Sequence, residues 1–184
     1  MSSLYTDSEQ ALARIAIERH GGSELSILVG GLGLGYTARE ALQSDCVSQV
    51  EVVEFLPQVI DWLSQGLVPL SQELLAESRF HVAVGDIYRR LAEPRGERFD
   101  VILIDVDHSP DERLGEESSW FYTADGLRAA RRHLADDGIL AVWSYAESSP
   151  FADAMREVFG EVRVESISYD NELVDQRPTD WLFF

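Results

Sequence analysis

Residues 25–40, LSILVGGLGLGYTARE, constrain the fold more than any other stretch of the chain. A buried strand over 25–29 runs into a turn holding Gly30, Gly31, Gly33 and Gly35, and a helix follows over about 36–43. Glycines let a backbone turn tightly and meet a ligand where a Cβ would clash. The unpaired N–H groups at the helix start then offer donors to that ligand. A dinucleotide fingerprint needs glycines at relative positions 1, 3 and 6. Gly31 and Gly33 fit the first two, but Tyr36 occupies the sixth, and a start at Gly30 puts Leu32 third. What the chain holds is G-x-G-x-G, at Gly31, Gly33 and Gly35. A turn that only joins strand to helix would use the same residues, so both readings stay open here.

The flanking sequence alternates between strand and helix patterns. Residues 6–9 read Thr-Asp-Ser-Glu, a capping-box pattern. Leu12, Ile15 and Ala16 then repeat at helical spacing up to Gly21-Gly22, which predicts a covering helix beside the first strand. After the glycine turn, residues 50–54 (VEVVE) read as a second strand that ends in Glu54, 19 residues past Gly35. In nucleotide-binding α/β folds an acid at that strand end accepts hydrogen bonds from ribose hydroxyls. A carboxylate suits the task because it only accepts. A solvated strand-end carboxylate is the plainer alternative. Pro57 opens a helix with Val59, Ile60 and Leu63 inward, and Trp62 is expected in the core or a pocket wall. Residues 66–79 read as a loop and a short helix, and FHVAV as a third strand closed by Gly85-Asp86. Asp86, followed by Ile87, has two equal readings. It is an adenine contact past the third strand, or the N-cap of the helix IYRRL.

The most strand-like run is FDVILIDVDHSP, residues 99–110. Its unbroken apolar stretch over 101–104 predicts a strand buried on both faces, with Asp105 at its C-terminal end. Ligands of open α/β sheets sit at that edge. A carboxylate ending a buried strand is costly unless it has partners, so Asp105 is the leading candidate for chemistry, with Asp107 and His108 beside it. His108 on its own reads equally well as a loop histidine. Residues 111–122 read as a polar loop ending in Trp120-Phe121-Tyr122, either a lid or an anchor for the next helix. That helix is expected over 123–135 and the strand ILAVWS after Asp136-Asp137-Gly138. The helix SPFADAMREVFG and the strands VRVESISY and TDWLFF close the chain, the last two predicted to be an antiparallel hairpin.

Composition narrows the function classes. The 184 residues suit a single domain with a real core. The net charge of −18 argues against unaided binding to nucleic acid or an anionic membrane and favours a cationic partner, such as a polyamine or a basic protein. Surface acid that serves solubility alone explains the charge as well. One cysteine, Cys46, precludes an internal disulfide and suits a reducing, cytoplasmic compartment. The chain opens without a basic, apolar leader and lacks an apolar run of the roughly 20 residues that span a bilayer. Its four histidines and one cysteine show no metal-ligand spacing.

The G-x-G-x-G spacing resembles the first motif of class I AdoMet-dependent transferases. With the later motifs added, the chain resembles the catalytic domain of the spermidine synthase family. That family's Gly-Gly-Gly-Asp-Gly-Gly-x-x-Arg-Glu is similar to residues 31–40 at Gly31, Gly33, Gly35, Arg39 and Glu40. Its Val-Glu-Ile-Asp is similar to Val53-Glu54-Phe55-Leu56, its Gly-Asp to Gly85-Asp86, and its Tyr-Asp-Val-Ile-x-x-Asp to residues 99–105. The resemblance covers roughly residues 25–145. It implies an α/β, Rossmann-like three-layer sandwich with a mostly parallel seven-stranded sheet and a C-terminal hairpin. It also implies a transferase with AdoMet or decarboxylated AdoMet as group donor and an amine acceptor, a polyamine among the candidates, with a homodimer as an expected assembly. The implied donor-binding residues are Gly31, Gly33, Gly35, Glu54, Asp86, Ile87 and Asp105, and the implied catalytic residues Asp105, Asp107 and His108.

The chain departs from the family pattern at several points. Leu34 stands where the family has an Asp for the aminopropyl amine, and Leu56 replaces a second Asp. Asp-Ser-Ser-Asp-Pro has become Asp105-Val106-Asp107-His108-Ser109-Pro110, and the family's N-terminal β-domain has no counterpart in these residues. Three functions therefore follow: aminopropyl transfer, methyl transfer to a small molecule or protein, and nucleoside binding without turnover.

Overall fold

Each apolar run buries side chains on alternate sides, so both faces of the sheet need a covering layer. The computed structural model describes residues 5–94, 96–106, 108–111, 116–170 and 177–184. The strands are β1 (Leu25–Gly30), β2 (Val47–Glu54), β3 (Phe80–Val84), β4 (Phe99–Ile104), β5 (Leu134–Ser144), β6 (Val164–Ser168) and β7 (Thr179–Phe183). They form one seven-stranded sheet in the order β3-β2-β1-β4-β5-β7-β6. The first five strands run parallel, whereas β7 is antiparallel to both β5 and β6. This is the three-layer fold with a terminal hairpin that the sequence predicts.

Ile27, Val29, Val101, Leu103, Ala141 and Leu182 face one layer, made by α1 (Asp7–His20), α2 (Tyr36–Leu42), α3 (Pro57–Ser64) and α4 (Ser71–Ala76). Leu28, Ile102, Ile104, Leu140, Val142 and Phe183 face the other. Its helices are α5 (Ile87–Ala92), α6 (Glu116–Phe121), α7 (Ala124–Arg131) and α8 (Ser149–Phe159). The strand order reverses between β1 and β4, and such switch points open a crevice at the carboxyl ends of the strands. Among the described residues no helix is long and apolar enough to cross a membrane.

Several local expectations need correction. Thr6 makes no side-chain cap; its hydroxyl accepts from Gln10 Nε2 at 2.7 Å instead. Helix α1 lies mainly across β4, β5 and β7 and beside α2, and shares its core cluster with Leu25, Ile27 and Val29 of β1. Trp62 projects outward and is 47% exposed. Residues 116–121 form helix α6 in place of the predicted loop, and Phe121 and Tyr122 at its end are buried. These aromatics anchor α7, whose N-cap is Thr123. Helix α7 ends at Arg131 because Leu134 already pairs with Phe99; the register then jumps to Ile139 opposite Val101. Asp136, Asp137 and Gly138 therefore bulge out of β5.

A buried polar chain ties α1 to the hairpin. Trp143 Nε1 donates to Ser8 Oγ at 3.1 Å, and the Ser8 hydroxyl donates to Asp180 Oδ2 at 2.7 Å. At the other end of α1, Arg19 pairs with Glu165 and lies over the Phe184 ring. Ser8→Ala strips a buried indole N–H of its partner, which costs about 1–3 kcal/mol. Urea unfolding should show that loss, and a change below about 0.5 kcal/mol would remove the network from any account of how α1 docks.

Candidate active site

The glycine turn leaves β1 with three residues in left-handed backbone: Gly31 (φ 98°), Gly33 (φ 52°) and Gly35 (φ 90°). Gly31 is the most constrained. A Cβ there would lie 2.1 Å from the carbonyl oxygen of Asp105, so the turn can cross the end of β4 only as glycine. Gly31 N donates to Val53 O at 2.9 Å and Asp105 N to Gly30 O at 2.8 Å. The turn is thus fastened to β2 on one side and β4 on the other. Gly35 ends the turn as the left-handed N-cap of α2.

Glu54 ends β2 and is 7% exposed. Its Oε2 accepts from Leu32 N and its Oε1 from Leu56 N, both at 2.8 Å. One carboxylate therefore holds the glycine turn and the start of α3 together. A carboxylate has about four lone-pair positions, so two of its acceptor sites are used by backbone and the rest suit a pair of hydroxyls.

Asp86 follows β3 and caps α5, with Oδ1 accepting from Tyr88 N at 2.9 Å and Arg89 N at 3.3 Å. The N-cap reading of Asp86 is therefore real, and it leaves Oδ2 outside those two bonds. Ile87 is buried; a Cβ on Gly30 would stand 2.6 Å from its Cγ1. Ile87 thus fits against the last residue of β1 and sets how closely α5 approaches the turn.

Asp105 follows the last residue of β4 and is half-buried. The Thr37 hydroxyl, in the first turn of α2, donates to its Oδ2. Asp107 lies outside the described residues. His108 is 1% exposed, and its ring meets Tyr88 and Tyr122 edge-on, with centroids 6.0 and 5.4 Å away. Its Nε2 lies 3.5 Å from the Tyr88 hydroxyl, which is 2.9 Å from the Tyr122 hydroxyl. The imidazole is thus packed into the α5/α7 layer. Leu34 packs against the opposite core, and Leu56 is 49% exposed.

The turn, Glu54, Asp86 and Asp105 all stand at the carboxyl edge of β1 to β4, on both sides of the switch point. Sequence reasoning passed over Thr37 and Tyr88. Neither belongs to a spacing pattern, and only the folded contacts reveal them.

Burial raises the ionisation of both tyrosines well above that of free phenol; at Tyr88 the Tyr122 charge and hydrogen bond add to that rise, whereas at Tyr122 the bond with Tyr88 offsets part of it. Unfolded tyrosine ionises near pH 10. Their contribution is therefore whole below about pH 10 and is lost as pH rises above it. Two such groups give a slope of up to roughly 2.7 kcal/mol per pH unit. Tyr122→Phe should halve the slope of stability against pH between about 10 and 11.5. An unchanged slope would show that the cluster opens to water.

Comparison with known proteins gives concordant findings. The family model described as spermine/spermidine synthase domain matches residues 7–158. A polyamine aminopropyltransferase of Oceanobacillus iheyensis is 31% identical over 148 residues, covering 79% of this chain and 27% of the relative. The chain thus spans about a quarter of that relative's length. A crystal structure of spermidine synthase in complex with the transition state analogue AdoDATO superposes with a TM-score of 0.70 at 20% identity, over 95% of this chain and 57% of the other. Human methyltransferase-like protein 13 in complex with SAH gives 0.63 at 18% identity, over 96% and 78%.

Proposed function

The chain belongs to the spermine/spermidine synthase domain family, and from that premise we propose that it transfers an aminopropyl group from decarboxylated AdoMet to a primary amine, a polyamine or its precursor. We read its 184 residues as one catalytic domain. The observation that carries the proposal is the meeting of Glu54, the Gly31 turn, Asp86 and Asp105 at one sheet edge, in the family's motif order.

The residues fit such a donor. The Gly31 cradle has no room for a Cβ, and Glu54 offers acceptors to a ribose diol while its bonds to Leu32 and Leu56 fix its direction. Asp86, oriented by its cap bonds, turns its remaining oxygen to an exocyclic amine of the base. The donor supplies a sulfonium, which makes the adjoining carbon electrophilic. The amine nitrogen attacks that carbon, the carbon–sulfur bond breaks with its electrons passing to sulfur, and Asp105 accepts the proton that the nitrogen gives up. Holding the two reactants in line and providing one base suffices for such a transfer. His108, buried against Tyr88, supports the loop after Asp105 in this reading.

Leu34 and Leu56 favour a second reading, methyl transfer from AdoMet, because a cationic tail then loses two family acids. Calorimetric titration with AdoMet, decarboxylated AdoMet and methylthioadenosine separates the two. We expect the decarboxylated form to bind tightest; preference for AdoMet would replace aminopropyl with methyl transfer. Asp105→Asn should lower turnover by roughly 10²–10⁴, the range of a lost general base. Unchanged turnover would exclude Asp105 as the proton acceptor.

A further inference from the structure

We propose that Thr37 is the positioning residue for Asp105, its hydroxyl selecting the one side-chain rotamer in which the carboxylate works. The inference rests on the reading of Asp105 as proton acceptor. The backbone of Asp105 has little freedom: its N–H is bonded to Gly30 O at 2.8 Å, and its carbonyl is pressed against Gly31. Rotation about its side-chain bonds has staggered alternatives, and the Thr37 donor, reaching in from the neighbouring helix, favours one of them.

The contact is more than packing. Thr37 is the second residue of α2, and its hydroxyl reaches two other elements, with Asp105 Oδ2 and, at 3.4 Å, Glu9 O of α1 as its neighbours. Thr37 is itself 3% exposed and β-branched, so the donor is as fixed as the group it holds. Hydrogen bonds to a charged partner bias an equilibrium by roughly one to two orders of magnitude, enough to leave one rotamer dominant.

The test compares Thr37→Val, which keeps the volume and removes the donor, with Thr37→Ser, which restores it. Three-bond couplings at Asp105, measured by NMR on the isotope-labelled full chain, read the rotamer directly and need no acceptor. One rotamer is expected in wild type and Thr37→Ser, and averaged couplings in Thr37→Val. With decarboxylated AdoMet and putrescine as probes, Thr37→Val should lower kcat about 10–100-fold at donor affinity within twofold, and Thr37→Ser should recover to within about threefold. A single rotamer in Thr37→Val overturns the inference. So does a kcat within threefold of wild type while Asp105→Asn is inactive, a result that leaves Asp105 as the base. If Asp105→Asn turns over normally, the underlying reading fails instead. Should Thr37→Val not fold, Thr37→Ala takes its place, with the same expectation against Thr37→Ser.

Discussion

The close approach of Gly31 to the carbonyl of Asp105 is the contact on which the rest of the site depends. Two parallel neighbours in a sheet normally diverge once their ladder ends. Here the ladder of β1 and β4 is carried one residue further by Asp105 N and Gly30 O, and the turn then crosses over the strand end at a separation no side chain could survive. The cost of the left-handed backbone at Gly31, Gly33 and Gly35 is small because glycine tolerates it. The gain is that the glycine turn and a carboxylate from a different strand share one rigid frame. Glu54 completes the frame by taking N–H groups from both Leu32 and Leu56, which would otherwise be donors at the ends of the turn and of β2.

Much of this was legible in the sequence because the strands are buried on both faces. Such strands must be short, continuous and apolar, and residues 27–30 and 101–104 of the central strands are of that kind, whereas β3 lies at the sheet edge and is largely exposed. The acids at their ends stand out for the same reason. The sequence was less informative where structure is decided by tertiary contacts. Residues 116–121 look polar, yet they coil into α6 because Phe121 and Tyr122 have an aromatic core to enter. Helix α7 stops at Arg131 although its pattern runs on to Leu134, since pairing of Leu134 with Phe99 competes for the same backbone. The Thr6 cap fails because Gln10 takes the hydroxyl that would have capped. In each case a local preference met a stronger partner that lies elsewhere in the chain.

The departures from the family pattern acquire a physical sense in the same way. Leu34, at the position of a family acid, is partly buried and packs against the core on the α1–α4 side of the sheet. A carboxylate there would need its own partners. The acid that is kept, Asp105, has such partners in the Thr37 hydroxyl and the strand end. The retained acid is one that the fold supports with hydrogen bonds, and Leu34 stands where an acid would have met the core; Leu56, half-exposed, has no such explanation.

Two layers of helices hold the end of β4 from opposite sides. On the α1/α2 side, Thr37 reaches the Asp105 carboxylate. On the α5/α7 side, Tyr88 and Tyr122 enclose His108, three residues further along the same loop. Helix α5 is the common member, since Asp86 caps it, Ile87 fits against Gly30, and Tyr88 meets His108. A displacement of α5 at its cap would therefore be felt at the end of β1 and in the loop after Asp105 together. That coupling follows from close packing alone, because neither the Gly30 contact nor the buried tyrosine pair has space in which to absorb the movement.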